Sequence, residues 1–269
     1  MVYPYLGLPK GNNVIIGEMS KEHPPHHVPV LFDAVLRELA PKAGESYLDL
    51  TAGYAGHASA VLEITKNDKE SVLVDRDDYA IAHLQHLTDR GVRLMHTDFV
   101  SAATQLFEEG KAFDLILIDL GVSSPQLDQG ERGFSFSHNG PLDMRMDRSK
   151  GQTAADLVNS TSVQELATII HEYGEEPYMQ AKHIAEQIAA NRPFYETEPL
   201  ATLIKQIYRG RQGKIHPATR TFQALRIAVN DELGQVKAIL PLLPNLLNKG
   251  GRVAIISFHS LEDRLVKRF

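Results

Sequence analysis

Four short apolar runs follow one another between Tyr47 and Leu120: YLDL (47–50), SVLVD (71–75), VRLM (92–95) and FDLILIDL (113–120). Between them lie stretches of helical spacing, predicted over 58–64, 78–87 and 101–108, with a first amphipathic helix over 28–39 carried by Val28, Leu31, Val35 and Leu39. Short apolar strands that alternate with helices of about ten residues predict βαβ units and a parallel sheet. The expected fold class is therefore α/β. The last run is the most apolar, ends in the carboxylate of Asp119 and empties into a polar, glycine-rich stretch reaching Asp147. In open α/β sheets ligands bind at that carboxyl edge.

The alternation then stops. From about Gln126 to Lys214 no strand-like run occurs, and helical periodicity recurs over 163–173, 178–190 and 199–208. Pro217 opens a long helix expected to reach Asn248, kinked or divided by Pro241 and Pro244. Gly250-Gly251 leads into a fifth strand over 252–258 and a helix over 261–269. The expected organisation is a lead-in over 1–25, a discontinuous sheet domain over 26–125 and 215–269, and a helical insertion over 126–214. In the lead-in His23, His26 and His27 sit among Pro24, Pro25 and Pro29. The prolines break any fixed ligand spacing, so no metal is expected there or elsewhere. The chain has no cysteine, which excludes disulfides, thiolate metal sites and cysteine nucleophiles. No apolar run approaches a membrane span, the N-terminus lacks the pattern of a signal peptide, and the expected location is the cytoplasm.

Five constellations carry chemistry. Gly53-x-x-Gly56, with Ala55 between and His57 after, forms a tight turn behind the first strand, and Asp75 ends the next strand 22 residues beyond Gly53. An acid at about that distance accepts ribose hydroxyls. The turn is not the full dinucleotide fingerprint, so the pyrophosphate cradle is incomplete. S-adenosylmethionine, an adenosine ligand without phosphates, would need only the close turn and the acid. A dinucleotide and a merely structural turn remain the other readings. Phe99, after the third strand, could cover an adenine or close the core.

Asp119, Ser123, Ser124 and Gln126 are short donors and acceptors suited to orienting an amine. Phe134 and Phe136 read either as small-domain core or as a stacking surface for a base. Asp143, Arg145 and Asp147 alternate with Met144 and Met146, the pattern of a solvated strand or a local salt-bridge lattice. Net charge is −6, yet from Pro199 to Asn230 there is no Asp or Glu, while Lys205, Arg209, Arg211, Lys214, His216, Arg220 and Arg226 fall there. That asymmetry predicts a phosphate-backbone partner. On the helix after Pro217, Thr219, Gln223, Arg226 and Asn230 make one polar stripe, either lining a site or facing solvent. Ser257 and His259 close the fifth strand.

Together these strings resemble the MraW/RsmH-type bacterial methyltransferases. The matching residues are His27-x-Pro29-Val-Leu31, the Thr51–His57 turn, Asp119–Leu127, Arg132–Phe136, Gly140–Asp147, Tyr173–Glu176, His216–Ala224 and Ser257–Arg264. The resemblance implies a Rossmann-like class I methyltransferase sheet with an inserted helical domain. It implies S-adenosylmethionine as cofactor, contacted by Ala55, Gly56, His57, Asp75, Phe99, Asp119 and Gln126, with Gly53 of the tight turn the further candidate beside it. It also implies methylation of N4 of a cytidine in the decoding (P-site) region of 16S rRNA in the small ribosomal subunit. Asp119, Ser123, Ser124, Ser257 and His259 are then the candidates beside the amine. Arg145, Lys205, Arg209, Arg211, Lys214, His216, Arg220 and Arg226 are the candidates on the RNA. Two departures stand out. Ala55 replaces the first of two adjacent glycines, and the family continues past the last helix, so further sheet strands are expected beyond this chain. A catalytically inert RNA-binding assembly factor and a dinucleotide-dependent oxidoreductase are the alternative functions. The oligomeric state stays open, a homodimer among the options.

Overall fold

The computed structural model describes residues 29–122, 124–208 and 216–269, with the backbone alone at 124 and 125. The lead-in and its histidines lie outside the described residues. Strands β1 (Tyr47–Asp49), β2 (Val72–Asp75), β3 (Arg93–His96), β4 (Phe113–Asp119) and β5 (Leu247–Ile256) form one sheet in the order β3-β2-β1-β4-β5. Every pairing is parallel. The order reverses between β1 and β4, which makes the gap above them the topological switch point.

The sheet is covered on both faces because successive side chains alternate. Along β4, Leu115 and Leu117 join a core with Leu62 and Leu84 from helices α2 (Gly56–Thr65) and α3 (Asp78–Leu84), with Val35 and Leu39 of α1 (Phe32–Leu39). Ile116 and Ile118 point the other way, onto Ala102 and Leu106 of α4 (Phe99–Glu108). Asp77 and Asp98 start α3 and α4 by accepting the backbone N–H groups of Tyr79 and Ser101, which satisfies donors the helix cannot use itself.

Beyond β4 come α5 (Ser124–Asp128), α6 (Ala154–Ser160), α7 (Val163–Gly174), α8 (Tyr178–Ala190) and α9 (Thr197–Ile207). Helices α6 to α9 share a separate core of Leu157, Leu166, Ile170, Ile184, Ile188 and Ile204. Phe222 and Leu225 of α10 (Thr219–Asn230) belong to that same core. The helix expected to run to Asn248 stops at Asn230. Asp231 adopts φ +48°, and α11 (Glu232–Ile239) restarts at an angle with Val236 and Ile239 under the sheet. The two prolines lie later, in a 3₁₀ run at Leu240–Leu246. The break has a cause in packing. The Asn230 side chain donates to Met144 O and accepts from Met146 N, which ties the helix end to the insertion. β5 begins five residues earlier than expected and ends at Ile256, so Ser257 and His259 lie beyond it, ahead of α12 (Ser260–Arg268). Among the described residues no helix is long and apolar enough to cross a membrane.

Candidate cofactor and amine site

At the switch point a cavity of about 1340 Å³ opens above the carboxyl ends of the strands. All eight residues expected at a cofactor line it: Gly53, Ala55, Gly56, His57, Asp75, Phe99, Asp119 and Gln126. The turn after β1 is shaped as the glycine pattern predicts. Gly53 has φ +52°, and a Cβ there would meet nothing nearer than Thr51 O at 3.9 Å, so its backbone is open to the cavity. Ala55 also takes the left-handed region, at φ 62°, and caps α2. An alanine there costs roughly 1–2 kcal/mol that a glycine would not.

Asp49, Asp75 and Asp119 end the neighbouring strands β1, β2 and β4, and all three face this cavity. Asp75 is fixed by two backbone donors, Gly53 N to Oδ2 at 2.8 Å and Asp77 N to Oδ1 at 2.8 Å. Burial raises its pKa, against the pull of those bonds. Asp49 is buried and accepts from Tyr47 Oη at 2.7 Å and Thr51 N at 3.1 Å. Burial outweighs both bonds and pushes it up to about 7, with smaller contributions from Asp119 and Asp75. Burial likewise lifts Asp119 to about 6, helped by Glu262. Asp119 Oδ1 is buried with no hydrogen-bond partner among the described residues, and Oδ2 lies 4.0 Å from Nε2 of His57. Burial lowers the pKa of His57, whose ring stacks on Phe32 with centroids 5.9 Å apart.

Around this edge the structure sorts the remaining candidates. Ser257 and His259 are not among the residues lining the cavity. His259 Nε2 lies 3.2 Å from Glu262 Oε1, so its partner is a buried carboxylate. The physical reason is the strand end: with β5 finished at Ile256, the backbone turns there and Phe258 faces the cavity instead. Ser123 and the side chain of Ser124 lie outside the described residues.

Arg226 does line the cavity, but it forks onto Glu232 with bonds of 2.8 and 2.9 Å across the α10–α11 break. Glu232, His259 and Glu262 offer three ligand atoms within 4.8 Å of one another, with that guanidinium already compensating Glu232. Gln223 donates to Tyr173 O, so the polar stripe of α10 ties elements together as well as lining the site.

Arg145 forks onto Asp143, which also meets Arg148 at 3.6 Å, while Met144 and Met146 are buried. The charge alternation is thus a local salt-bridge lattice. Phe134 is buried in the helical core. Phe136 packs edge-on against Phe222 at 4.8 Å and against His216 at 4.7 Å. Both phenylalanines are packing residues. Lys205 and Arg220 are exposed, Arg220 with Nη1 3.6 Å from Glu176 Oε2, whereas Arg209, Arg211 and Lys214 lie outside the described residues.

Sequence reasoning gave Arg132, Asp77, Glu262 and Phe258 no role at the site. Arg132 is 2% exposed, donates to Asp77 Oδ2 at 2.9 Å and to Met146 O at 3.1 Å, and passes over the Phe134 ring. Gln126 Nε2 donates to the same Asp77 oxygen at 2.6 Å. A buried pair 55 residues apart leaves no periodic trace in a sequence. Helix α6 did leave one. Thr153 and Asp156 form a reciprocal capping box, readable as Thr-x-x-Asp.

The cavity's donor set selects its ligand. Asp119, ionised at neutral pH, opposes a pyrophosphate and suits a cation, and Asp75 beside an open glycine turn suits a ribose. A doubly wound parallel sheet with such a cavity at its switch point is the Rossmann-like architecture of a transferase that takes a cationic adenosine cofactor. Comparison with known proteins narrows this. The model of the MraW methylase family matches residues 24–269, and the chain belongs to that family. It is 48% identical over 252 residues to ribosomal RNA small subunit methyltransferase H of Synechocystis sp., and 50% identical over 252 residues to the enzyme of that name in Citrifermentans bemidjiense. Over 251 residues it is 51% identical to that of Geobacter sp.. Each match covers 90% of this chain and 80% of the relative. The chain is a methyltransferase and uses S-adenosylmethionine. The residues present fit that group: Asp75, held by the Gly53 N–H at 2.8 Å, stands beside a turn whose backbone is open to the cavity.

Proposed function

We propose that this enzyme methylates N4 of a cytidine in the decoding (P-site) region of 16S rRNA, within the small ribosomal subunit in the cytoplasm. The relatives' names support a small-subunit rRNA substrate. The observation that carries the amine chemistry is Asp119 Oδ1, a buried acceptor at the switch point with no partner among the described residues. When bound, S-adenosylmethionine supplies a methyl group activated by its sulfonium. The chain's own task is to bring an exocyclic amine into line with it. The amine lone pair of cytosine is delocalised into the ring, and an acceptor on its N–H localises and orients it. Positioning of that kind supplies much of the rate. With a pKa of about 6, Asp119 is mostly ionised at neutral pH and can accept.

The base must leave its stack to reach the cavity. The acid-free window supplies the phosphate contacts: Lys205, Arg209, Arg211 and Lys214, with Arg220, whose exposed guanidinium also lies 3.6 Å from the buried Glu176 carboxylate. Arg145 and Arg226 hold carboxylates of the fold, and His216 packs on Phe136.

The test incubates the protein with labelled S-adenosylmethionine and small subunits lacking the modification, followed by nucleoside mass spectrometry. N4-methylcytidine at one position is expected. A product on another atom, or subunit binding with no product, would refute the reading, the latter in favour of an assembly factor.

A further inference from the structure

One aromatic at the cavity is mounted unlike the others. Phe258 lines the cavity and is 49% exposed, whereas Phe99 beside the ribose acid is 9% exposed. A phenylalanine left half in water forgoes on the order of 1 kcal/mol of burial, so its exposure calls for an occupant. The ring is nevertheless held in place. The Phe258 N–H donates to Glu262 Oε2 at 2.8 Å, and Glu262 is 1% exposed. On one side the ring lies against Gly121, where a Cβ would come within 3.2 Å of it and where φ is +93°. Gly121 follows Asp119 by two residues, and Asp119 is the register partner of Ile256, two residues before Phe258. An exposed flat ring and an unpartnered carboxylate oxygen thus share the β4–β5 end of one cavity.

Asp75, the acid that would hold the cofactor's ribose, stands at the other end. Asp75 ends β2, three places from β5 in the strand order. At about 4.8 Å per strand that separation is roughly 14 Å, too far for Phe258 to cover a ring whose ribose sits on Asp75.

We propose that Phe258 is the stacking platform for the target pyrimidine, holding its ring while Asp119 Oδ1 accepts from its exocyclic amine. The inference rests on the function proposed above. Stacking of a base on an aromatic side chain fixes its plane, and with it the direction of the amine. Gly121 is glycine because a side chain there would push the ring out of that plane.

The chain contains no tryptophan, so Phe258→Trp introduces a single fluorescent reporter. Titration of this variant with cytidine monophosphate, in the presence of S-adenosylhomocysteine, should quench its emission. Phe258→Leu should bind S-adenosylmethionine as the wild type does in calorimetry, yet show kcat/KM for small subunits lower by about 10- to 100-fold. Phe258→Trp should recover most of that loss. Wild-type kcat/KM in Phe258→Leu overturns the inference, as does an unquenched tryptophan. If Phe258→Leu fails to fold, the quenching decides alone. A wild-type protein that methylates no cytidine would instead sink the function itself.

Discussion

Arg132 and Asp77 join the insertion loop to the cofactor edge, and breaking this pair gives a prediction with a definite size. The guanidinium is 2% exposed and the carboxylate side chain 8% exposed. Asp77 uses Oδ1 to cap α3 and Oδ2 to accept from both Arg132 and Gln126. Arg132→Met keeps the length of the side chain and removes the charge, leaving a buried carboxylate without its cation. A buried pair broken from one side costs about 3–5 kcal/mol. At roughly 2–4 °C per kcal/mol for a chain of this size, the melting temperature should fall by about 10 °C. Asp77→Asn strands the guanidinium and should cost a similar amount. The double variant strands neither charge, so it should be more stable than the sum of the two losses by at least about 1.5 kcal/mol. Urea denaturation of all four proteins measures the cycle. Additive losses, or an Arg132→Met variant within about 0.5 kcal/mol of wild type, would refute the claim that this pair is a buried, mutually dependent latch.

Three other outcomes are expected. Asp119 must be ionised to accept from the amine, so kcat/KM should fall as pH drops through about 6; Asp119→Asn should lose about 10²–10³ in turnover and lose that limb of the pH profile. Asp49, pushed up to about 7 by burial, stays protonated in the fold where the unfolded chain has released its proton. Stability therefore decreases as pH rises from about 4 to 7, by up to ~4 kcal/mol at 1.36 kcal/mol per pH unit. Asp49→Asn should flatten that slope in denaturation curves at pH 5 and pH 8. Gly140→Ala places a Cβ against the backbone carbonyl of Gly130; the 130–140 loop must open, which should cost about 1–3 kcal/mol and expose the loop to limited proteolysis.

Much of this was legible in the residues. The spacing from Gly53 to Asp75 predicted a turn and an acid acting together, and a backbone bond of 2.8 Å joins them. The helices over 163–174 and 178–190 follow their apolar period closely. Other features misled. The apolar run after Gly251 suggested a strand reaching 258, but pairing with β4 ends at Ile256, and those two residues turn His259 away from the cavity and Phe258 into it. The acid-free window suggested seven cations for one partner. Arg226 is instead bound by Glu232, an acid just outside the window.

By itself the sequence determined the elements, the parallel sheet and which strand ends carry acids, because periodicity, caps and turn glycines act over a few residues. Only the tertiary structure decided which charges are free and which are spent, and which aromatic is exposed. Arg132 finds Asp77 across 55 residues, and Asp119 keeps an oxygen without a partner among the described residues. Burial and pairing depend on what the rest of the chain brings alongside, and a residue's own neighbours in sequence do not contain that information.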